Sequence, residues 1–281
     1  MGFHKIGVVG AGQMGAGIAQ VAATAGYDVC LMDQSANQLS LAMNGICKST
    51  EKLELKGRLK NAKEIQSRVK MTGEIKEVAA CDLVIEAIVE NEEAKVGLFQ
   101  RLSEFAKEST VFASNTSSIS ITRLGRQSGR PRQFIGLHFM NPVPLMKLVE
   151  VIVSDATDPA VVSQSHDLVK KMDKIVVQSL DYPGFVVNRI LMPMINEAFQ
   201  TWQEGVASPE GIDQAMKLGT NQPMGPLELA DFIGLDTCLS ILRVLHHGFG
   251  DPRYRPSARL VQLVDAGWHG KKSGRGVYTY S

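Results

Sequence analysis

Three glycines, Gly10, Gly12 and Gly15, follow the apolar run Lys5-Ile6-Gly7-Val8-Val9, and an acid, Asp33, ends the next apolar run, Tyr27 to Met32. Glycines at this spacing, between a strand and a helical stretch (Met14 to Ala25), suit the cradling of a pyrophosphate. Gly10 permits the tight turn, Gly12 lets the backbone approach the phosphates, and Gly15 lets helix and strand pack closely. The N–H groups of Gln13 and Met14 open the helix, where free donors and the dipole favour an anion. Asp33 is placed to accept hydrogen bonds from a ribose diol and to repel a 2′-phosphate, and its neighbour is Gln34 rather than an arginine. The dinucleotide expected on this ground is NAD.

A second set of residues could move a proton. An apolar run at 110–114 leads into Ser114-Asn115-Thr116-Ser117-Ser118, another at 133–137 ends in His138, and Glu150 interrupts the run Lys147 to Val153. On a strand, Glu150 shares a face with Leu148 and Ile152, where a carboxylate is costly unless paired and hydrogen-bonded. His138 is the obvious partner. Such a pair fixes the imidazole tautomer and raises its basicity, as an enzyme that moves a hydroxyl proton alongside a hydride requires. A structural salt bridge or an exposed edge-strand glutamate accounts for the same residues, and the residues alone leave both readings open.

These groups need a scaffold. Strands are expected at 4–9, 28–33, 69–72, 82–88, 110–114, 133–138, 147–153 and 174–178, most of them separated by helical stretches. That alternation defines an α/β fold: a Rossmann-like, doubly wound, mainly parallel sheet whose ligands bind beyond the carboxyl ends of the strands. The charged segment at about 35–68 reads as an inserted helical hairpin projecting from the sheet. After Asp181-Tyr182-Pro183-Gly184 the periodicity becomes helical, with further helices expected at 208–218 and 225–247. The expected organisation is a dinucleotide-binding domain over 1–183 and a smaller all-helical domain over 184–281.

Composition excludes several classes. With 281 residues, a formal net charge of +1 and 44% hydrophobic residues, nothing points to a nucleic-acid or anionic-membrane partner. No apolar run approaches the roughly 18 residues that span a bilayer. The chain enters its first strand at once, leaving no room for a signal peptide, and Cys30, Cys47, Cys81 and Cys238 are scattered, so a cytoplasmic protein with free thiols is expected. His246 and His247 are adjacent and no Cys/His cluster exists, so no metal is expected.

Across nearly its whole length the chain resembles the L-3-hydroxyacyl-CoA dehydrogenase family. The resemblance rests on Gly10–Gly15, Glu86-Ala87-Ile88-Val89-Glu90-Asn91, Ala113 to Ser118, Gly136-Leu137-His138-Phe139-Met140-Asn141-Pro142 and Lys147 to Val151. It continues through Pro183 to Arg189, Met224-Gly225-Pro226-Leu227-Glu228-Leu229 and Gly270 to Tyr278. It implies that His138 is the catalytic base, with Glu150 as its partner. It also implies that Ser117 and Asn188 hold the substrate oxygen, and that Glu90, Lys95 and Asn115 lie near the nicotinamide half of the cofactor. Asn188, in the first turn of the helical domain, then places the site between the domains.

Lys48, Lys52 and Lys56 recur every four residues and line one helix face. On residues alone, with Glu51 and Glu54 interleaved, a solvated charged face is the simpler reading. The resemblance turns Ser49, Lys52 and Lys56 into contacts for coenzyme A, and the substrate into a short-chain 3-hydroxyacyl-CoA such as 3-hydroxybutyryl-CoA. A sugar-acid dehydrogenase has no use for these lysines, and an idle NAD-binding structural protein has none for the set Ser117, His138, Glu150 and Asn188. Gly270-Lys271-Lys272-Ser273 is not a phosphate loop, because Asp265 stands where the first glycine belongs. A helical domain this small could hardly cover its own apolar faces, so a homodimer through residues 185–281 is expected.

Overall fold

The computed structural model describes residues 2–280. The chain divides after Tyr182 into two compact units. The first is built as β1 (Lys5–Val9), α1 (Gln13–Thr24), β2 (Asp28–Met32), α2 (Ala36–Leu55), α3 (Ala62–Ser67), β3 (Val69–Thr72), α4 (Ile75–Ala79), β4 (Leu83–Glu86), α5 (Glu92–Ser103), β5 (Val111–Ser114), α6 (Ile121–Gln127), β6 (Phe134–Phe139), β7 (Leu148–Val153), α7 (Pro159–Lys171) and β8 (Ile175–Leu180). The strands form one sheet in the order β3-β2-β1-β4-β5-β6-β7-β8. Every pairing is parallel except β6 with β7.

β4 and β5 are buried at every position, as strands covered on both faces must be, and the doubly wound sheet agrees with the expectation from the alternating pattern. Strand order reverses at β1, between β2 and β4, so the crevice beyond the carboxyl end of β1 is where a ligand fits. The turn into α1 requires glycine: Gly10 has φ 100°, and a Cβ on Gly15 would lie 1.7 Å from the Gly10 carbonyl oxygen.

The segment 35–68 differs from its expected form. Its charge suggested a hairpin held off the core, yet α2 packs on α1 and buries Leu39, Ala42 and Ile46, while α3 adds Ile65. An apolar stripe at helical spacing runs beneath the charges and seats α2 on the core, while at its far end Leu55 is 89% exposed.

The second unit comprises α8 (Val187–Gln203), α9 (Pro209–Gly219), α10 (Pro226–Ile233), α11 (Leu235–Phe249) and α12 (Ala258–Asp265). Met192, Ile195 and Phe199 of α8 meet Leu227, Leu235, Leu239, Leu242 and Leu245 in its core. The helix expected over 225–247 is two helices, broken at Gly234, whose φ of 105° a helix cannot contain. Two buried aspartates organise the tail. Asp231 accepts the N–H groups of Val277 and Tyr278 and the Tyr280 hydroxyl, and Asp213 accepts those of Leu227 and Glu228 and the Tyr278 hydroxyl.

Candidate active site

Gly12 caps α1 without a side chain, and no atom lies within 4 Å of where its Cβ would stand. The backbone N–H groups of Gln13, Met14 and Gly15 therefore open onto approachable space at a positive dipole end, which fits a pyrophosphate. Beside this turn a cavity of about 470 Å³ is lined by Gly10, Asp33, Gln34, Ile88, Leu98 and Arg101, among others, apolar with a few convergent polar groups. Asp33 has a second duty that its position in the motif did not reveal. Its Oδ2 accepts the Ala11 N–H at 2.8 Å and its Oδ1 the Ser35 N–H at 2.9 Å, tying β2 to the glycine turn.

His138 and Glu150 are register partners across the antiparallel pair β6 and β7, and His138 Nδ1 lies 2.7 Å from Glu150 Oε2. Glu150 is fully buried and β7 is flanked on both sides, which removes the exposed edge-strand reading. Such a pair fixes the tautomer: with Nδ1 bound to the carboxylate, proton exchange with a substrate falls to Nε2. Asn115, beyond the end of β5, accepts the Phe139 N–H through Oδ1 at 2.9 Å, so the serine loop is braced against the strand that carries His138.

Glu90, Lys95 and Ser117 belong to one network with a buried core of Lys95 and Glu86, the latter a residue the sequence did not bring forward for the site. Lys95, 1% exposed, sits 2.5 Å from Glu86 Oε1 and 3.2 Å from Glu90 Oε2. Glu86 also accepts from the Ile88 N–H and the Ser114 hydroxyl. Glu90 Oε1 accepts from the Thr116 hydroxyl at 2.6 Å and from the Ser117 N–H and hydroxyl at 2.9 and 3.1 Å. Burial pushes the Glu86 carboxyl above the usual range despite Lys95. At Glu90 burial pulls the same way, but Lys95, Thr116 and Ser117 outweigh it and hold the carboxyl below that range. A signal for Glu86 was present: it ends the buried run Leu83-Val84-Ile85, the same anomaly that marked Glu150.

Ser49 lines a separate cavity of about 340 Å³, bounded by Gly12, Gln13, Ala16 and Gly17, by α2 from Gln38, and by Asn141 to Pro144. Lys52 stands exposed further along α2, and Lys56, also exposed, caps its C-terminal end. Asn188 lies in the first turn of α8, buried. No group of three or more His, Cys, Asp or Glu among the described residues is placed to hold a metal ion, and no helix among them is long and apolar enough to cross a membrane.

A dinucleotide fold with a histidine–carboxylate pair and a serine loop beyond its sheet defines an oxidoreductase that couples proton and hydride movement. Two family models cover the chain: the NAD binding domain of 3-hydroxyacyl-CoA dehydrogenase over residues 5–182 and its C-terminal domain over residues 184–280. The chain belongs to the 3-hydroxyacyl-CoA dehydrogenase family, and it is an NAD-dependent dehydrogenase. Among its relatives, a probable 3-hydroxybutyryl-CoA dehydrogenase of Deinococcus radiodurans is 55% identical over 98% of this chain and 100% of its own. The 3-hydroxybutyryl-CoA dehydrogenase of Bradyrhizobium diazoefficiens is 54% identical over 98% and 95%. The crystal structure of (S)-3-hydroxybutyryl-CoA dehydrogenase from Ralstonia eutropha superposes with a TM-score of 0.96 at 44% identity, covering 99% of both chains.

Proposed function

We propose that the protein interconverts (S)-3-hydroxybutyryl-CoA and acetoacetyl-CoA, with His138 as the group that moves the proton. The observation carrying this reading is the buried His138–Glu150 pair, braced through Asn115 to the loop that presents Ser117. The glycine turn would hold the pyrophosphate of NAD and Asp33 a ribose diol, and the bound cofactor would supply the hydride acceptor for oxidation and the donor for reduction. His138 takes the 3-hydroxyl proton as general base in oxidation, and as imidazolium gives it back in reduction. Glu150 stabilises the imidazolium and holds the ring in place. Ser117 and Asn188 hydrogen-bond the oxygen as it changes between hydroxyl and carbonyl.

Coenzyme A lies along α2 in this reading, with Ser49 at the cavity and the Lys52 and Lys56 ammonium groups meeting its phosphates. We further infer a homodimer through residues 185–281 and a cytoplasmic setting, the latter supported by bacterial relatives of the same family. The discriminating experiment is a substrate panel of acetoacetyl-CoA, acetoacetyl-pantetheine and L-gulonate, for wild type and Lys52→Met/Lys56→Met. The reading expects turnover of acetoacetyl-CoA, a KM for it that rises in the double variant, and an unchanged KM for the pantetheine thioester. Preference for the sugar acid would overturn it.

A further inference from the structure

The hairpin that carries His138 and Glu150 is closed by the loop 140–147, and that loop is held by a buried cation. Lys174, directly before β8, is 8% exposed, and its Nζ donates to the Val143 carbonyl at 2.6 Å and the Met146 carbonyl at 2.7 Å. Ammonium groups are seldom buried without compensation, and here two carbonyls of one loop supply it. Burial lowers the Lys174 pKa, with Lys147 adding to the effect and Asp173 opposing it. The neighbouring residue ties the same segments in the opposite sense: Lys147, at the end of the loop, reaches the carboxylate and the carbonyl of Asp173. Two lysines thus cross-link Val143–Lys147 to Asp173–Lys174.

The other side of this loop is a wall. Asn141, Pro142, Val143 and Pro144 bound the 340 Å³ cavity opposite Gly12, Gln13 and Ser49. Val143 seats directly on Gly17 of α1, where an added Cβ would lie 2.8 Å from it. The carbonyl that Lys174 grips therefore belongs to the residue that fixes the distance between this wall and the glycine-turn helix.

We propose that Lys174 is a positioning residue for the acyl-CoA substrate. By holding the Val143 and Met146 carbonyls it sets the width of the cavity between the 141–144 loop and Ser49, and so governs substrate affinity rather than the proton step. The inference rests on coenzyme A lying along α2. A group that acts only through ground-state placement shifts KM with little change in kcat, whereas a generally damaged fold lowers the active fraction and with it kcat.

The test is steady-state kinetics of the full-length enzyme with acetoacetyl-CoA and NADH for Lys174→Met, Lys174→Gln and Lys174→Arg, each corrected for folded fraction by circular dichroism. Lys174→Met is expected to raise the KM for acetoacetyl-CoA about tenfold, with kcat and the KM for NADH within about threefold. Lys174→Arg, which keeps a cation with several donors, should recover most of the loss. Should the Met variant not fold, Lys174→Gln, with one amide to donate, is expected to raise the KM above those of the wild type and the arginine variant. An unchanged KM in the folded variants would overturn the proposal, as would a fall in kcat alone. Absence of wild-type turnover of acetoacetyl-CoA would instead overturn the functional reading, so the two failures are distinct.

Discussion

Ser117 donates its hydroxyl hydrogen to Glu90 Oε1 at 3.1 Å, and its backbone N–H meets the same oxygen at 2.9 Å. The group proposed to steady the substrate oxygen is thus already occupied by a carboxylate, and substrate must compete with Glu90 for that hydroxyl. Lys95, 3.2 Å from Glu90, moderates the competition by drawing on the carboxylate charge. Removing the donor while keeping the loop should therefore act on turnover. Ser117→Ala is expected to lower kcat by about 10²-fold or more, the scale of one lost oxyanion donor, with NADH affinity by calorimetry unchanged. Equal kcat would remove Ser117 from the reaction.

Glu150 should matter through the charge it offers the imidazolium. Glu150→Gln keeps the shape and loses that charge and the tautomer preference, so kcat in both directions should fall by about 10²- to 10⁴-fold with substrate KM little altered. The comparison of kcat in the forward and reverse assays checks this directly.

Lys95 pairs with two carboxylates, the fully buried Glu86 and the partly exposed Glu90. Lys95→Met leaves the fully buried Glu86 without its cation, and breaking a buried pair this way costs about 3–5 kcal/mol of stability. Urea unfolding should show the loss as a lower midpoint with unchanged slope, and Glu86→Gln in the same background should recover part of it.

Acid should loosen the same network through Glu90. Its folded pKa lies below the unfolded value, so it contributes stability above the unfolded value and loses it as pH falls through the folded one. Glu86 has the opposite sign: its raised folded pKa adds stability below the unfolded value, lost as pH rises through the folded one. Thermal unfolding followed from about pH 6 to 3 should therefore fall less steeply in Glu90→Gln than in wild type, and more steeply in Glu86→Gln.

The cofactor expectation has its own check. A 2′-phosphate would meet the Asp33 carboxylate, whose place is fixed by Ala11 and Ser35, so kcat/KM with NADPH should lie at least about a hundredfold below that with NADH. Comparable values would contradict that account of Asp33.

Much of this was legible in the sequence because it is local. The glycine turn, the strand runs and the interruption of an apolar strand by Glu150 all declare themselves within a few residues. Glu86 gives the same local sign, but its meaning depends on Lys95 and Ser114, brought to it by α5 and β5. Lys174 and Asp33 were harder still. Neither the bonds of Lys174 to the Val143 and Met146 carbonyls nor that of Asp33 to the Ala11 N–H leave any trace in residue type, since backbone groups are the same everywhere. The break at Gly234 failed for a related reason: one glycine within a helical pattern is usually tolerated, and only its φ decides. The charge of 35–68 concealed an apolar stripe that needed α1 beside it to count as core.

The central claim is that His138, held by Glu150, moves the substrate proton while NAD carries the hydride. It is tested most directly by following absorbance at 340 nm with acetoacetyl-CoA and NADH, for wild type and His138→Gln. The account predicts rapid NADH oxidation by the wild type and a fall of at least about 10²-fold in kcat for the variant, with NADH still bound. Turnover by the folded variant close to that of the wild type would contradict it.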